Sequence, residues 1–121
     1  MNSLQRQAKL HKALAHPVRL RILEILARQE ACVCHLTAVL RKPQPYVSQQ
    51  LSMLRDANLV ADRRDGTLIY YRLRNEAVAE LLAAGQRAMQ GASDLDGAGH
   101  EPAPVPEGPV PGCPCPRCKA S

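Results

Sequence analysis

Residues 44–73 read QPYVSQQLSMLRDANLVADRRDGTLIYYRL, and a change of period inside this stretch decides the fold. In its first half Val47, Leu51 and Leu54 recur at helical spacing behind Pro45, a residue suited to a first helical position, which predicts a helix over 45–57. In its second half two β-prone runs, Leu59-Val60-Ala61 and Leu68-Ile69-Tyr70-Tyr71, flank Asp65-Gly66. Asp-Gly between such runs is a strong signal for a tight hairpin. Lys42-Pro43-Gln44-Pro45 reads as the turn that leads in, with Gln44 near the helix cap.

Working outward, the chain on the N-terminal side reads as short helices. Residues 3–14 carry an amphipathic pattern through Leu4, Ala8, Leu10 and Leu14. His16-Pro17 interrupts it, and Val18, Ile22, Ile25 and Leu26 then mark a core-facing helix. Val33 to Leu40 makes a third short helix. Beyond the hairpin, residues 75–89 form a last helix with Val78, Leu81, Leu82 and Met89. Seven of the ten prolines and five of the seven glycines lie from Gly91 onward, so residues 91–121 are expected to be an extended, disordered tail appended to a domain of residues 1–90.

Composition narrows the classes. With no Trp or Phe and three Tyr, the core must rest on aliphatic side chains, which suits packed helices better than a sheet sandwich. No apolar run approaches the length of a membrane span. The start, Met1-Asn2-Ser3-Leu4-Gln5-Arg6, lacks the apolar segment of a secretory signal, so the cytoplasm is the expected location. The net charge of +5 divides unevenly. Residues 1–90 carry 14 Lys/Arg against 7 Asp/Glu, and the remainder 2 against 4. The basic excess thus falls on the globular part, as expected of a nucleic-acid-binding domain. No nucleophile–base constellation, phosphate loop or carboxylate pair is present, so no enzyme is predicted.

Five cysteines fall in two clusters, Cys32-Val33-Cys34 and Cys113-Pro114-Cys115-Pro116-Arg117-Cys118. Clustered thiols without a secretory signal read as metal ligands or redox groups. Thiolates are soft ligands and select Zn, Cd, Pb, Cu(I) or trivalent arsenic and antimony over Mg or Ca. On a regular helix, residues i and i+2 point about 200° apart; one ion held by both Cys32 and Cys34 is therefore expected to require unwinding of the helix's first turn. The C-x-x-C spacing in the tail lies among prolines, which argues against thioredoxin-like catalysis.

The order helix, helix, helix, helix, hairpin, helix resembles the ArsR/SmtB family of winged-helix metalloregulatory repressors. Leu14-Ala15-His16-Pro17-Val18-Arg19-Leu20-Arg21-Ile22-Leu23 resembles that family's opening helix pair, and Gln44-Pro45-Tyr46-Val47-Ser48-Gln49-Gln50-Leu51 its recognition helix. Leu59-Val60 through Tyr70-Tyr71-Arg72-Leu73 resembles its wing. Ala31-Cys32-Val33-Cys34-His35-Leu36 resembles the metal-binding box of the arsenic- and antimony-responsive members, with His35 where they carry an acidic residue and Thr37 where some carry a third cysteine. The resemblance covers roughly residues 4–90.

The resemblance implies a mainly α fold with a small β-hairpin wing, a winged helix-turn-helix that dimerises through its first and last helices. It implies a homodimer on double-stranded operator DNA, released when As(III) or Sb(III) binds Cys32 and Cys34. In a helix-turn-helix the second helix lies in the major groove. With Val47, Leu51 and Leu54 inward, Ser48, Gln49, Ser52 and Arg55 face out, with Gln44 and Tyr46 at the N-terminal end; Arg63 and Arg64 flank the wing tip, where phosphates or the minor groove favour Arg. Tyr70 and Tyr71 alternate faces, and one of them is expected in the core. Trivalent arsenic prefers three thiolates, and Cys113, Cys115 or Cys118 is the candidate third. A flexible chain of the 23 residues between Met89 and Cys113 spans roughly 25–30 Å, comparable with the domain. Alternatives are a Cd(II)-, Pb(II)- or Zn(II)-responsive repressor, a repressor switched by a disulfide between the clusters, and a metal-buffering protein. The zinc site that other members build on their last helix is missing here, since residues 75–89 hold no histidine; no cysteine precedes residue 32 to complete a four-thiolate site from an N-terminal arm, which disfavours the Cd(II), Pb(II) or Zn(II) alternative.

Overall fold

A computed structural model describes residues 2–96, with side chains through Gly91. Its elements are α1 (Ser3–Leu14), α2 (Pro17–Arg28), β1 (Ala31–Cys32), α3 (Val33–Leu40), α4 (Gln44–Asp56), β2 (Val60–Asp65), β3 (Leu68–Leu73) and α5 (Glu76–Asp96). The five helices and the hairpin read from the sequence are present in the expected order, and the tail cysteines lie outside the described residues.

Local chemistry sets the boundaries. Asn2 caps α1 through a reciprocal capping box with Gln5, at 2.8 and 2.9 Å. Pro17 opens α2. At the end of α4, Asn58 adopts a left-handed φ of 61°, its N–H reaching the Arg55 carbonyl while the Leu59 N–H reaches that of Leu54. This paired closure is the Schellman arrangement, which asparagine tolerates and which buries Leu59 against the helix it ends. Asp65 pairs with Leu68 across the hairpin, leaving Gly66 and Thr67 as the loop. Gly66 takes a φ of +64°, as a two-residue turn with glycine in first place requires.

Three element boundaries or pairings differ from the sequence reading. The wing is a three-stranded antiparallel sheet in the order β1-β3-β2, because Ala31 and Cys32 pair with Tyr71 and Tyr70. Helix α4 starts at Gln44 on a Pro43 cap, one residue early. Helix α5 starts at Glu76 and runs to Asp96, past Gly91; glycine lowers helix propensity without forbidding it, and no proline intervenes before Pro102.

The core collects Ile22, Leu23, Ile25 and Leu26 of α2, Leu36 of α3, Val47, Leu51 and Leu54 of α4, and Leu59, Val60, Tyr71 and Val78. Each fully buried aliphatic side chain contributes roughly 1.5–3 kcal/mol. Both tyrosines are buried rather than one: Tyr71 joins the main core, and Tyr70 packs with Cys32, Cys34, Ala38 and Leu68 in a second cluster. Leu4 of α1 and Met89 of α5 stay 76% and 62% exposed, outside this core.

Candidate nucleic-acid surface and thiol site

Helix α4 sits behind a short turn after α3, in which Arg41 holds a left-handed φ of 55°. Its inner face is buried through Val47, Gln50, Leu51 and Leu54. Gln44, Gln49 and Arg55 are exposed, and Tyr46, Ser48 and Ser52 are partly so. All six residues singled out on this helix therefore reach solvent. Gln44 Nε2 donates to Ser48 Oγ at 2.8 Å, aligning two side chains at the N-terminal end. Arg55 pairs with Asp62 of β2 at 3.3 Å, an exposed, salt-screened ion pair.

Residues that the periodicity did not single out hold this helix in place. Arg19 of α2 donates through Nε to Gln50 Oε1 at 2.8 Å and through Nη2 to Met53 Sδ at 2.9 Å. Gln50 is a buried amide whose oxygen this guanidinium satisfies, as a buried polar group requires. Arg41 and Lys42 add two exposed cations in the α3–α4 turn; their adjacency to the recognition-helix motif was a usable signal.

The two wing arginines have different environments. On β2 they alternate faces, Arg63 opposite Tyr70 and Arg64 opposite Ile69. Arg63 makes a bidentate pair with Glu30, Nη2–Oε1 at 2.6 Å and Nε–Oε2 at 2.9 Å, and its guanidinium lies 4.6 Å from the centre of the Tyr70 ring. The Glu30 hydrogen bonds raise the Arg63 pKa further above its ordinary value. Arg64 is exposed near the tip.

The thiol pair sits where β1 becomes α3. Cys32 is the helix cap, with extended φ and ψ of −80° and 161°, and its sulfur accepts the His35 N–H at 3.3 Å. Cys34 lies in the first turn. Because Cys32 stands outside the helix, the 200° separation expected of two helical positions does not apply. The Cα atoms are 5.4 Å apart and the sulfurs are joined as a disulfide. Unwinding is not needed to bring them together, which corrects the sequence-based expectation.

Cys32 is 1% exposed and packs with Tyr70 (5% exposed), Cys34, Ala38 and Leu68 in a small cluster of its own. Thr37, at the third box position, turns its hydroxyl onto the Val33 carbonyl at 2.8 Å. His35 is buried. Among the described residues no group of three His, Cys, Asp or Glu is placed to hold a metal ion. The box thus offers two sulfurs among the described residues, available to a thiophilic ion only when the disulfide is reduced, and Cys113, Cys115 and Cys118 lie outside those residues.

Comparison with known proteins follows the same outline. Residues 16–62 match the model of the arsR family of bacterial regulatory proteins. A transcriptional repressor SmtB homolog of Synechocystis is 43% identical over 81 residues, 67% of this chain and 61% of its own length. An HTH-type transcriptional regulator of Methanocaldococcus jannaschii is 36% identical over 68% of this chain and 93% of its own. The arsenic resistance regulator ArsR1 of Pseudomonas putida is 46% identical over 54% of this chain and 52% of its own. Thus the chain spans only three-fifths and about half of the Synechocystis and Pseudomonas relatives. Among solved structures, Mycobacterium tuberculosis Rv0081 superposes with a TM-score of 0.74 at 35% identity, covering 81% of this chain and all of that one. The homodimeric winged helix-turn-helix DNA-binding domain of Mycobacterium bovis Mb0332 gives 0.69 at 34%, covering 82% and 90%.

Proposed function

This chain belongs to the arsR family of bacterial regulatory proteins, and from that premise we propose that it is a homodimeric cytoplasmic repressor which leaves its operator when As(III) or Sb(III) binds Cys32 and Cys34. The observation that carries the reading is the placement of both sulfurs together at the cap of α3. That helix is the first half of the helix-turn-helix, so a ligand seated there acts on the geometry of the DNA-reading unit. Arsenous acid loses one water for each thiol it binds, and two thiols complete two of arsenic's three bonds. The third comes from Cys113, Cys115 or Cys118, or from a small thiol.

On DNA, the outer face of α4 reads base edges through Gln44, Tyr46, Ser48, Gln49, Ser52 and Arg55, with Gln suited to adenine and Arg to guanine or phosphate. Arg64 follows the backbone from the wing. The exposed Leu4 and Met89 lie on the helices, α1 and α5, that supply the seam between protomers, and two copies read two half-sites.

The test uses DNA from upstream of the protein's own gene and reduced full-length protein. Arsenite or antimonite is expected to release the wild type, and the Cys32→Ser/Cys34→Ser variant is expected to bind DNA normally and ignore both. Release of the wild type by Cd(II), Pb(II) or Zn(II) alone would replace the inducer. The triple variant Cys113→Ser/Cys115→Ser/Cys118→Ser should respond only at higher arsenite concentration; an unchanged response removes the tail from the site.

The disulfide itself favours a second reading, in which the box answers to oxidants. A hydroperoxide oxidises the two thiols to the disulfide and is reduced to an alcohol and water, with both thiol protons accounted for. Release by hydroperoxide and not by arsenite selects this reading.

A further inference from the structure

The register of the wing sheet places Cys32, Tyr70 and Arg63 in one row. Cys32 is directly opposite Tyr70 across β1–β3, and Tyr70 is directly opposite Arg63 across β3–β2. Side chains directly opposite one another share a face of the sheet and touch. Cys32 and Tyr70 are packed in one buried cluster, and the Arg63 guanidinium lies on the Tyr70 ring. A second tie closes the row from behind, because Glu30, the residue before β1, holds that guanidinium by two hydrogen bonds.

We propose that Tyr70 and the Glu30–Arg63 pair transmit inducer binding from the thiols to the wing, so that Arg63 is a positioning residue rather than a phosphate contact. The proposal rests on the thiol-inducer reading above. In the reduced chain, an atom seated between the two sulfurs that the structure joins as a disulfide must hold them further apart, and Cys32 has almost no room to move. On one side lies the first turn of α3, which leads to α4. On the other lies the Tyr70 ring, whose displacement presses on the Arg63 guanidinium. Arg63 is fixed in direction by its bidentate partner, a geometry that a planar guanidinium enforces. The push therefore reaches β2 and Arg64, one residue toward the tip. Binding at one pair of thiols then disturbs both DNA-reading elements, the helix and the wing.

The test measures operator affinity by fluorescence anisotropy on the full chain, reduced, with and without arsenite, for wild type, Glu30→Gln, Arg63→Met, Tyr70→Leu and Tyr70→Phe. Arg63→Met, at an exposed side chain, and Glu30→Gln, a near-isosteric change at a half-buried one, are expected to keep inducer-free affinity within about threefold. They should shrink the arsenite-induced loss of affinity by about fivefold or more, the low end of an allosteric coupling. Tyr70→Phe keeps the ring and should behave as wild type, whereas Tyr70→Leu should behave as Arg63→Met. Arg63→Met that weakens inducer-free binding and lowers the salt slope, with arsenite response intact, makes Arg63 a phosphate contact and overturns the proposal. An arsenite response unchanged in Glu30→Gln also overturns it. If arsenite fails to release the wild type, the metalloid reading alone is lost. The row is then judged by the Gly66 amide resonance as the box passes between dithiol and disulfide: a shift in wild type that vanishes in Glu30→Gln supports it, and no shift, or one that persists, overturns it.

Discussion

The outer face of α4 and the Cys32–Tyr70–Arg63 row are built on opposite principles. The α4 face is open to solvent, wholly or in part, and carries two surface contacts, Gln44 with Ser48 and Arg55 with Asp62. In the proposed reading, DNA supplies the remaining partners. The row is buried at one end, tied at the other, and assembled from three strands and the residue before the first of them. A surface that reads DNA must offer unsatisfied donors and acceptors. A device that reports a ligand must already be packed, so that seating the ligand displaces something.

Both regions stand on the same core, so the largest effect comes from removing their common support. Leu51→Ala, at a fully buried position of α4, is expected to cost about 2–5 kcal/mol of stability. Urea denaturation will measure it, and DNA binding and inducer response should fall together. If only one falls, the two regions do not share a scaffold.

The next test separates them. Gln49→Ala or Ser48→Ala should reduce discrimination between operator and scrambled DNA by about 1–3 kcal/mol and leave the fractional response to arsenite unchanged. Competition titrations with the two DNAs read this directly; a lost arsenite response would show that the α4 face is part of the sensor as well.

A smaller effect sharpens the contrast within the wing. Arg64→Ala should weaken binding to all sequences alike and lower the slope of log K against log salt by about 0.9, the share of one phosphate. A salt slope equal to that of wild type would remove Arg64 from the backbone.

The smallest concerns Tyr71, the other buried tyrosine of β3. Burial, followed by the nearby Asp62 carboxylate, raises its pKa above the ordinary 10.0, against a smaller opposing effect of Arg55. The folded state thus holds the proton more tightly than the unfolded chain. The stability this lends is whole below pH 10 and is lost as pH rises through the raised value. Tyr71→Phe should flatten that alkaline loss and change little at neutral pH, measured as melting temperature against pH. A steep alkaline loss that survives the substitution assigns it to other groups.

Legibility in the sequence followed the range of the interactions. The helices were readable because their apolar residues repeat locally, and the hairpin because Asp65-Gly66 sits between two β-prone runs. Ser48, Gln49, Ser52 and Arg55 were readable as the complement of Val47, Leu51 and Leu54, and Gln44 and Tyr46 as the N-terminal end of the same helix. The α4 start was misplaced by one residue, since Pro43 and Pro45 both suit a helix entry. Strand β1 was not readable, since two residues have no period. Nor was the Arg19–Gln50 pair, whose partners lie 31 positions apart.

By itself, then, the sequence determined the element order, the grouping of two cysteines two residues apart and the polar face of α4, because each is written in spacings of a few residues. Only the tertiary structure decided that Cys32 is a cap whose sulfur meets that of Cys34, that both wing tyrosines are buried, and that Arg63 faces Glu30 instead of standing free. These depend on β1 pairing with β3, which joins residues nearly 40 positions apart. A pairing over that distance is settled by chain packing, and no local pattern records it.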